Sequence, residues 1–208
     1  IGDLHGDWNA TITSFKVAKL IDNNFNWIAI PKSTFVVQLG DQVDRLSRTN
    51  LKTDEASEKK IFDFLDNLHK QASSYGGAVL SIIGNHELMN VMGDMRYASP
   101  MSIKDFGTIY DRIDAFKPGG EIARRFACTR NVIIKIGNFL FVHGGILPKH
   151  CKLSIQEINR IMKNYLLNKI NTENHKYFDQ LFLEENSLLW TRKLSGENVK
   201  CSKLNKVF

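Results

Sequence analysis

The chain has 208 residues, is 43% hydrophobic and carries a formal net charge of +6, which suits one medium domain with a sizeable core. It contains no run of about 18 apolar residues to span a bilayer, and Cys128, Cys151 and Cys201 show no C-x-x-C spacing, so neither a disulfide framework nor a thiolate metal site organises it. Lys and Arg are scattered rather than interleaved with aromatics in one stripe, so a dedicated nucleic-acid binder is not expected.

Ile1 reads as the stub of a strand, after which Asp7 is expected to cap a helix to about Leu20 with Trp8, Ile12 and Phe15 on one face. TFVVQLGD, residues 34–41, reads as a buried strand running into a loop at Asp41. Ile61, Phe64, Leu65 and Leu68 fall at i, i+3, i+4 and i+7, predicting an amphipathic helix from about Asp54 to Tyr75 that Gly76 and Gly77 stop. AVLSIIGNHE, residues 78–87, repeats the pattern of an apolar strand ending in polar residues. Gly93 to Arg130, with short helical pieces around Pro100 and Pro118, reads as an insertion or lid. NVIIKIGNFLFVHGG, residues 131–145, predicts two strands joined at Gly137-Asn138, the second delivering His143. Ser154 to Glu157 spell a capping box, opening a helix with Ile158, Ile161, Met162 and Tyr165 on its inner face. With no repeat or linker, residues 1–208 read as one α/β layered domain.

Four strand ends carry chemistry: GDLHGD at Gly2, GDQVDR at Gly40, GNHE at Gly84 and HGG at His143. Side chains two apart on extended backbone point the same way, so Asp3 and His5 can reach one cation, a mixed oxygen and nitrogen set suited to Mn, Fe or Zn rather than Ca. The two oxygens of Asp41 can bridge that cation to a second, the arrangement that clamps a phosphoryl group. Asn85 and His86, adjacent on what reads as extended backbone, face opposite sides. Asn85 can therefore serve the second cation while His86 acts as a general acid, oriented by Asp44. Arg45 offers a planar fork for phosphate oxygens, and His143 a further nitrogen for the second cation. His69, His150 and His175 lack such contexts and read as surface or helix residues; Asp94, Arg96 and Tyr97 are candidates for substrate contact.

GDLHGD, GDQVDR, GNHE and FVHGG together resemble the metal-dependent phosphoprotein phosphatases among the calcineurin-like metallophosphoesterases. GNHELMNVMGDMRY, KPGGEIARRFA and SLLWTRKLS are similar to the Shewanella-like branch of that family. The resemblance implies a β-sandwich of two mixed sheets flanked by helices. It implies two divalent ions, manganese first with iron or zinc as alternatives, on Asp3, His5 and Asp41 and on Asp41, Asn85 and His143. His86 would be the general acid with Asp44, and phosphate would be held by Arg45, Asn85 and Arg192, the last matched only through its W-T-R context. Leu46 stands where the family pattern GDxVDRG ends in glycine, so the loop there is expected to differ locally. The family's last metal-ligating histidine has no match before Phe208, so the sequence reads as cut at both ends and the second cation as one ligand short.

The implied activity is phosphomonoester hydrolysis on phosphorylated proteins or peptides, by in-line attack of a metal-bridging hydroxide. The alternatives are hydrolysis of dinucleoside polyphosphates or nucleotides by the same core, and a pseudophosphatase that only binds phosphorylated partners. A cytoplasmic setting is favoured by the cysteine pattern, while an upstream targeting segment stays open because the sequence starts without Met.

Overall fold

The computed structural model of the chain describes residues 1–46, 54–169 and 177–195. Helix α1, Trp8–Val17, starts where Asp7 Oδ1 accepts the Ala10 N–H at 2.8 Å, and it buries Thr11, Ile12 and Phe15. It stops short of Leu20 because the backbone turns left-handed at Lys19, φ 55°. Ile1 does run beside a strand, its amine donating to Val37 O and its carbonyl accepting from Leu39 N, both at 2.9 Å. That strand, β1 (Phe35–Gln38), pairs in parallel with β2 (Ala78–Ile82) through the crossover helix α2, Glu58–Ser73. Helix α2 begins later than Asp54 because the Asp54 carboxylate is engaged elsewhere, accepting from Ser99 Oγ and Met101 N. Its end is as expected, with Gly76 at φ 74°.

Between Gly93 and Arg130 the structure is helical. After α3 (Asn85–Val91) come α4 (Pro100–Lys104), α5 (Ile109–Phe116) and α6 (Glu121–Thr129). Phe116, Ile122, Ala123 and Phe126 from this segment sit in the larger core cluster, so it packs as part of the body as well as lying beside the site. Strand β3, Arg130–Asn131, completes a parallel sheet of order β1-β2-β3. Strands β4 (Ile133–Ile136) and β5 (Phe139–Val142) form the predicted antiparallel hairpin, with Gly137 at φ 56° in its turn. Ser154 and Glu157 form the predicted capping box, Glu157 N donating to Ser154 Oγ at 3.2 Å, and open α7, Ile155–Leu166. Ile158, Ile161 and Met162 are buried there, whereas Tyr165 is only partly so, against Phe178. The layout is the expected α/β one with two sheets and flanking helices. Among the described residues one sheet is wholly parallel and the other antiparallel, rather than each being mixed. No described helix is long and apolar enough to cross a membrane.

Among the described residues two clusters form the core. Leu4, Phe15, Trp27, Leu65 and Val79 belong to the one between α1, α2 and the sheet. Phe62, Phe126, Ile133, Met162 and Leu188 belong to the larger one. What positions the polar loops is a close approach between two glycines: a Cβ on Gly40 would lie 2.5 Å from Gly84 N, and one on Gly84 would overlap the Asp41 carboxylate. Gly84→Ala is therefore expected to lower stability by about 1–3 kcal/mol in urea unfolding, the usual range for an overpacked site.

His150 corrects an expectation. It is not a surface residue but 3% exposed, in a 3₁₀ turn at Pro148–Lys152. Its Nδ1 accepts the Leu147 N–H and its Nε2–H donates to Asn186 O, both at 3.1 Å, which fixes a neutral ring. Burial lowers its pKa to about 4, with the Lys149 charge adding to the effect. The unfolded chain takes up a proton at about pH 6.5 and the folded ring only near 4, so this contribution to stability is complete above that window and lost as pH falls through it. His150→Gln should flatten the pH dependence of unfolding between 6.5 and 4; an unchanged slope would contradict the assignment. His69 is a partly buried α2 residue, and His175 lies outside the described residues.

Candidate metal centre and catalytic site

The site forms where β1, β2 and β5 end, as loops at the carboxyl ends of strands commonly do. Asp3 and His5 do not converge through an extended backbone, as the sequence suggested. His5 is left-handed, φ 45°, and the Leu4 and His5 N–H groups both donate to Asp41 O, at 2.8 and 2.9 Å. The turn brings Asp3 Oδ2 within 3.7 Å of His5 Nε2.

Asp41 is the centre. It is 3% exposed, and its Oδ2 lies 3.9 Å from His5 Nε2, 3.9 Å from His86 Nε2 and 3.5 Å from His143 Nε2. Each ring is turned by its other nitrogen: His5 Nδ1–H donates to Val43 O at 3.0 Å, His86 Nδ1–H to Asp44 Oδ2 at 2.8 Å, and His143 Nδ1–H to Leu39 O at 2.7 Å. A neutral imidazole whose Nδ1 donates presents an acceptor at Nε2, which is how proteins orient metal-ligating histidines. His143 Nε2 also lies 2.8 Å from Asn85 Oδ1, which brings two acceptor atoms together. Two ligands of one cation, each about 2.1 Å from it, are about 3–3.5 Å apart; the 3.5 Å separation of Asp41 and His143 falls in that range, while His5 and His86 stand farther from Asp41 at 3.9 Å. Asp3, Asp41 and His143 offer atoms all within 4.8 Å of one another, as do His5, Asp41 and His86. Two carboxylates with neutral nitrogen and amide donors leave a negative charge that divalent cations compensate. The donor set therefore fits divalent cations, although these two groups combine the residues differently from the two ligand sets that the resemblance implied.

Asn85 and His86 do not lie on extended backbone either; they open α3, with Gly84 as its N-cap. They are still directed apart, because successive residues of a helix are turned about 100° from each other. His86 N–H donates to Asp41 Oδ1 at 3.0 Å, Asn85 Oδ1 faces His143, and the His86 ring packs 5.1 Å from that of Tyr97. Leu46, at the loop position where glycine was expected, is tied back by its N–H to Tyr97 O at 2.9 Å.

The two predicted phosphate cations are placed differently from the rest. Arg45 is 6% exposed and its Nη1 pairs with Asp7 Oδ2 at 2.8 Å, so the helix-capping aspartate holds both α1 and this guanidinium. Arg192 is exposed, its Nη1 donating to Trp190 O and Thr191 O at 3.2 and 3.3 Å. Its segment is nonetheless docked on the loop after His143, since Gly144 N–H donates to Leu188 O at 2.8 Å. Of the candidates for substrate contact, Arg96 and Asp94 form an exposed ion pair at 2.8 Å near the rim.

Sequence reasoning missed four residues that build this arrangement. Glu87, wholly buried, accepts the N–H groups of Asp41, Gly84 and Gln42 at 2.8, 2.7 and 2.6 Å. Burial, reinforced by the Asp41 charge, pushes its carboxyl above the ordinary range. Its position three residues after Gly84 is that of the acidic partner in a capping box, a signal available had GNHE been read as a helix start. Asn90, Glu58 and Arg112 surround Asp44 and carry no local signature, since their partners come from remote stretches of chain. A cleft of about 810 Å³, lined by Asp63, Lys70, Arg125 and Arg130, contains none of the predicted site residues.

Comparison with known proteins places the chain in a family. Residues 1–200 match the calcineurin-like phosphoesterase family. The chain is 30% identical to Shewanella-like protein phosphatase 2 of Arabidopsis thaliana, over 95% of this chain and 58% of that protein. It is 32% identical to Shewanella-like protein phosphatase 1 of Plasmodium berghei, over 98% and 55%. Among solved structures, a cold-active protein tyrosine phosphatase superposes with a TM-score of 0.78 at 25% identity, covering 100% of this chain and 59% of that one. A cold-active protein-tyrosine phosphatase of a psychrophilic Shewanella species gives 0.77 at 25% identity, covering 100% and 60%. The chain thus spans rather more than half the length of the relatives it matches, and with a family match over nearly all its residues it belongs to the calcineurin-like phosphoesterases.

Proposed function

We propose that the chain is the catalytic region of a metal-dependent phosphatase that hydrolyses phosphomonoesters on proteins. The observation that carries this reading is the buried Asp41 carboxylate facing three histidine Nε2 atoms, each ring locked from behind by an acceptor at Nδ1. Asp3, His5 and Asp41 would hold one divalent cation, and Asp41, Asn85 and His143 the other, with manganese as the first candidate. Two such cations supply Lewis-acid charge at the phosphoryl oxygens and a water of lowered pKa.

The chain's own residues supply the rest. His86, with Nδ1–H bound to Asp44 Oδ2 at 2.8 Å, is oriented to deliver a proton from Nε2 to the leaving oxygen. Asp44 holds the ring angle and stabilises the charged imidazole before transfer, and His86 is left neutral when the alcohol or phenol departs. Asn85, Arg45 and Arg192 are assigned to the phosphate oxygens. Phosphate then competes with Asp7 for Arg45 and with the Trp190 and Thr191 carbonyls for Arg192. The protein substrate is supported by the names of the relatives, protein phosphatases by sequence and protein tyrosine phosphatases by structure.

His86→Asn should lower kcat on phenyl phosphate by about 10²–10⁴-fold, the usual worth of general acid catalysis, with KM within about threefold. Chelation should abolish activity and manganese restore it. Full activity in His86→Asn would remove the acid assignment, and activity in chelator would remove the metal mechanism. Faster turnover of dinucleoside polyphosphates than of phosphopeptides would replace the protein substrate with a nucleotide one.

A further inference from the structure

We infer that Arg112, on α5, is a positioning residue for the general acid, acting on His86 through Asp44 and Asn90; this rests on the reading of His86 as the acid. The Arg112 side chain is 0% exposed and packs against the adjoining rings of Phe106 and Phe116, at 5.0 and 4.9 Å. Its nitrogens are fully directed. Nη1 donates to Glu58 Oε2 at 2.6 Å and to Ser102 O at 2.9 Å, Nε to Asn90 Oδ1 at 3.0 Å, and Nη2 to Asp44 Oδ1 at 3.4 Å.

Those contacts control Asp44 from two sides. Glu58 uses its other oxygen, Oε1, to accept the Asp44 N–H at 2.9 Å, and so holds a backbone that is left-handed at φ 72°. Asn90 donates through Nδ2 to both Asp44 oxygens, at 3.0 and 2.9 Å, and to His86 O at 2.9 Å. Because Arg112 Nε is a donor, it requires the oxygen of the Asn90 amide and turns the NH₂ toward Asp44. One guanidinium thereby sets the Asp44 backbone through Glu58, its carboxylate through Asn90, and hence the His86 ring bonded to it. A guanidinium this deep has no solvent to answer to, and its fork geometry matches these acceptors in a way that lysine cannot. The segment expected to be an insertion or lid thus contributes to the proton-donating pair.

The test uses manganese-loaded protein and two leaving groups. Phenyl phosphate needs the acid, whereas 2,4-dinitrophenyl phosphate departs with little proton assistance. Arg112→Met should lose about 100-fold in kcat on phenyl phosphate and less than about threefold on the dinitrophenyl ester, with KM little changed, if it disables acid catalysis of the usual size. Arg112→Lys should fold normally and still show the selective loss. Adding His86→Asn to Arg112→Met should cost little beyond His86→Asn alone, as expected for residues that act as a unit. In metal-free wild-type protein, NMR should show a hydrogen-bonded His86 Nδ1–H that Arg112→Met loses. If Arg112→Met does not fold, Arg112→Met with Glu58→Gln leaves no unpaired charge at that end and makes the same comparison. An equal loss on both esters, or losses that add to that of His86→Asn, would overturn the inference. If His86→Asn itself shows no preference between the esters, it is the acid reading that fails.

Discussion

The interaction on which the rest of the structure depends is the placement of one buried carboxylate, Asp41, opposite three imidazole nitrogens. Burying an anion away from water is costly unless it is paired, and among the described residues no Arg or Lys forms an ion pair with Asp41. Of its near neighbours, His5 and His143 are turned so that lone pairs, not protons, face it. Such a site is incomplete electrostatically without cations, which is the physical ground for assigning metal ions to it. The surrounding loops serve this point: Gly40 and Gly84 allow the two strand ends to touch, and the hairpin delivers His143 onto Leu39.

Holding that point requires conformations the backbone does not favour. His5, Asp41 and Asp44 are all left-handed without being glycine, a strain of order 1–3 kcal/mol each. The compensation is a set of buried carboxylates that grip backbone N–H groups. Glu87 takes three of them around Asp41, Glu58 takes that of Asp44, and Arg112 balances Glu58. Burial raises the carboxyl of Glu58, and the Arg112 guanidinium opposes that effect. The acidic residues of the site therefore divide between those aimed at ligands and those that brace the loops carrying them.

Local chemistry was legible wherever a local rule decides structure. The Gly137-Asn138 turn, the Ser154-Glu157 capping box and the Asp7 cap all form as their sequences indicate. The order of polar residues behind apolar strands also sufficed to name Asp3, His5, Asp41, Asn85, His86 and His143, which the fold brings together. Backbone conformation at those residues was not legible, because the turn at His5 and the helix start at Asn85 are imposed by contacts with Asp41. Nor could the partners of Arg45, Arg112 and His150 be read, since each is set by tertiary packing. A histidine with no motif around it, such as His150, reads as a surface or helix residue, and its burial against Asn186 O is a property of the fold.

The central claim is that Asp41 is shared by two cations. Crystals soaked in manganese and measured at the manganese absorption edge test it most directly. The account predicts two anomalous peaks flanking the Asp41 carboxylate, one also touching Asp3 and His5 and the other Asn85 and His143. Saturating manganese with no peak on Asp41, or a single cation held by the histidines while Asp41 stays apart, would contradict it.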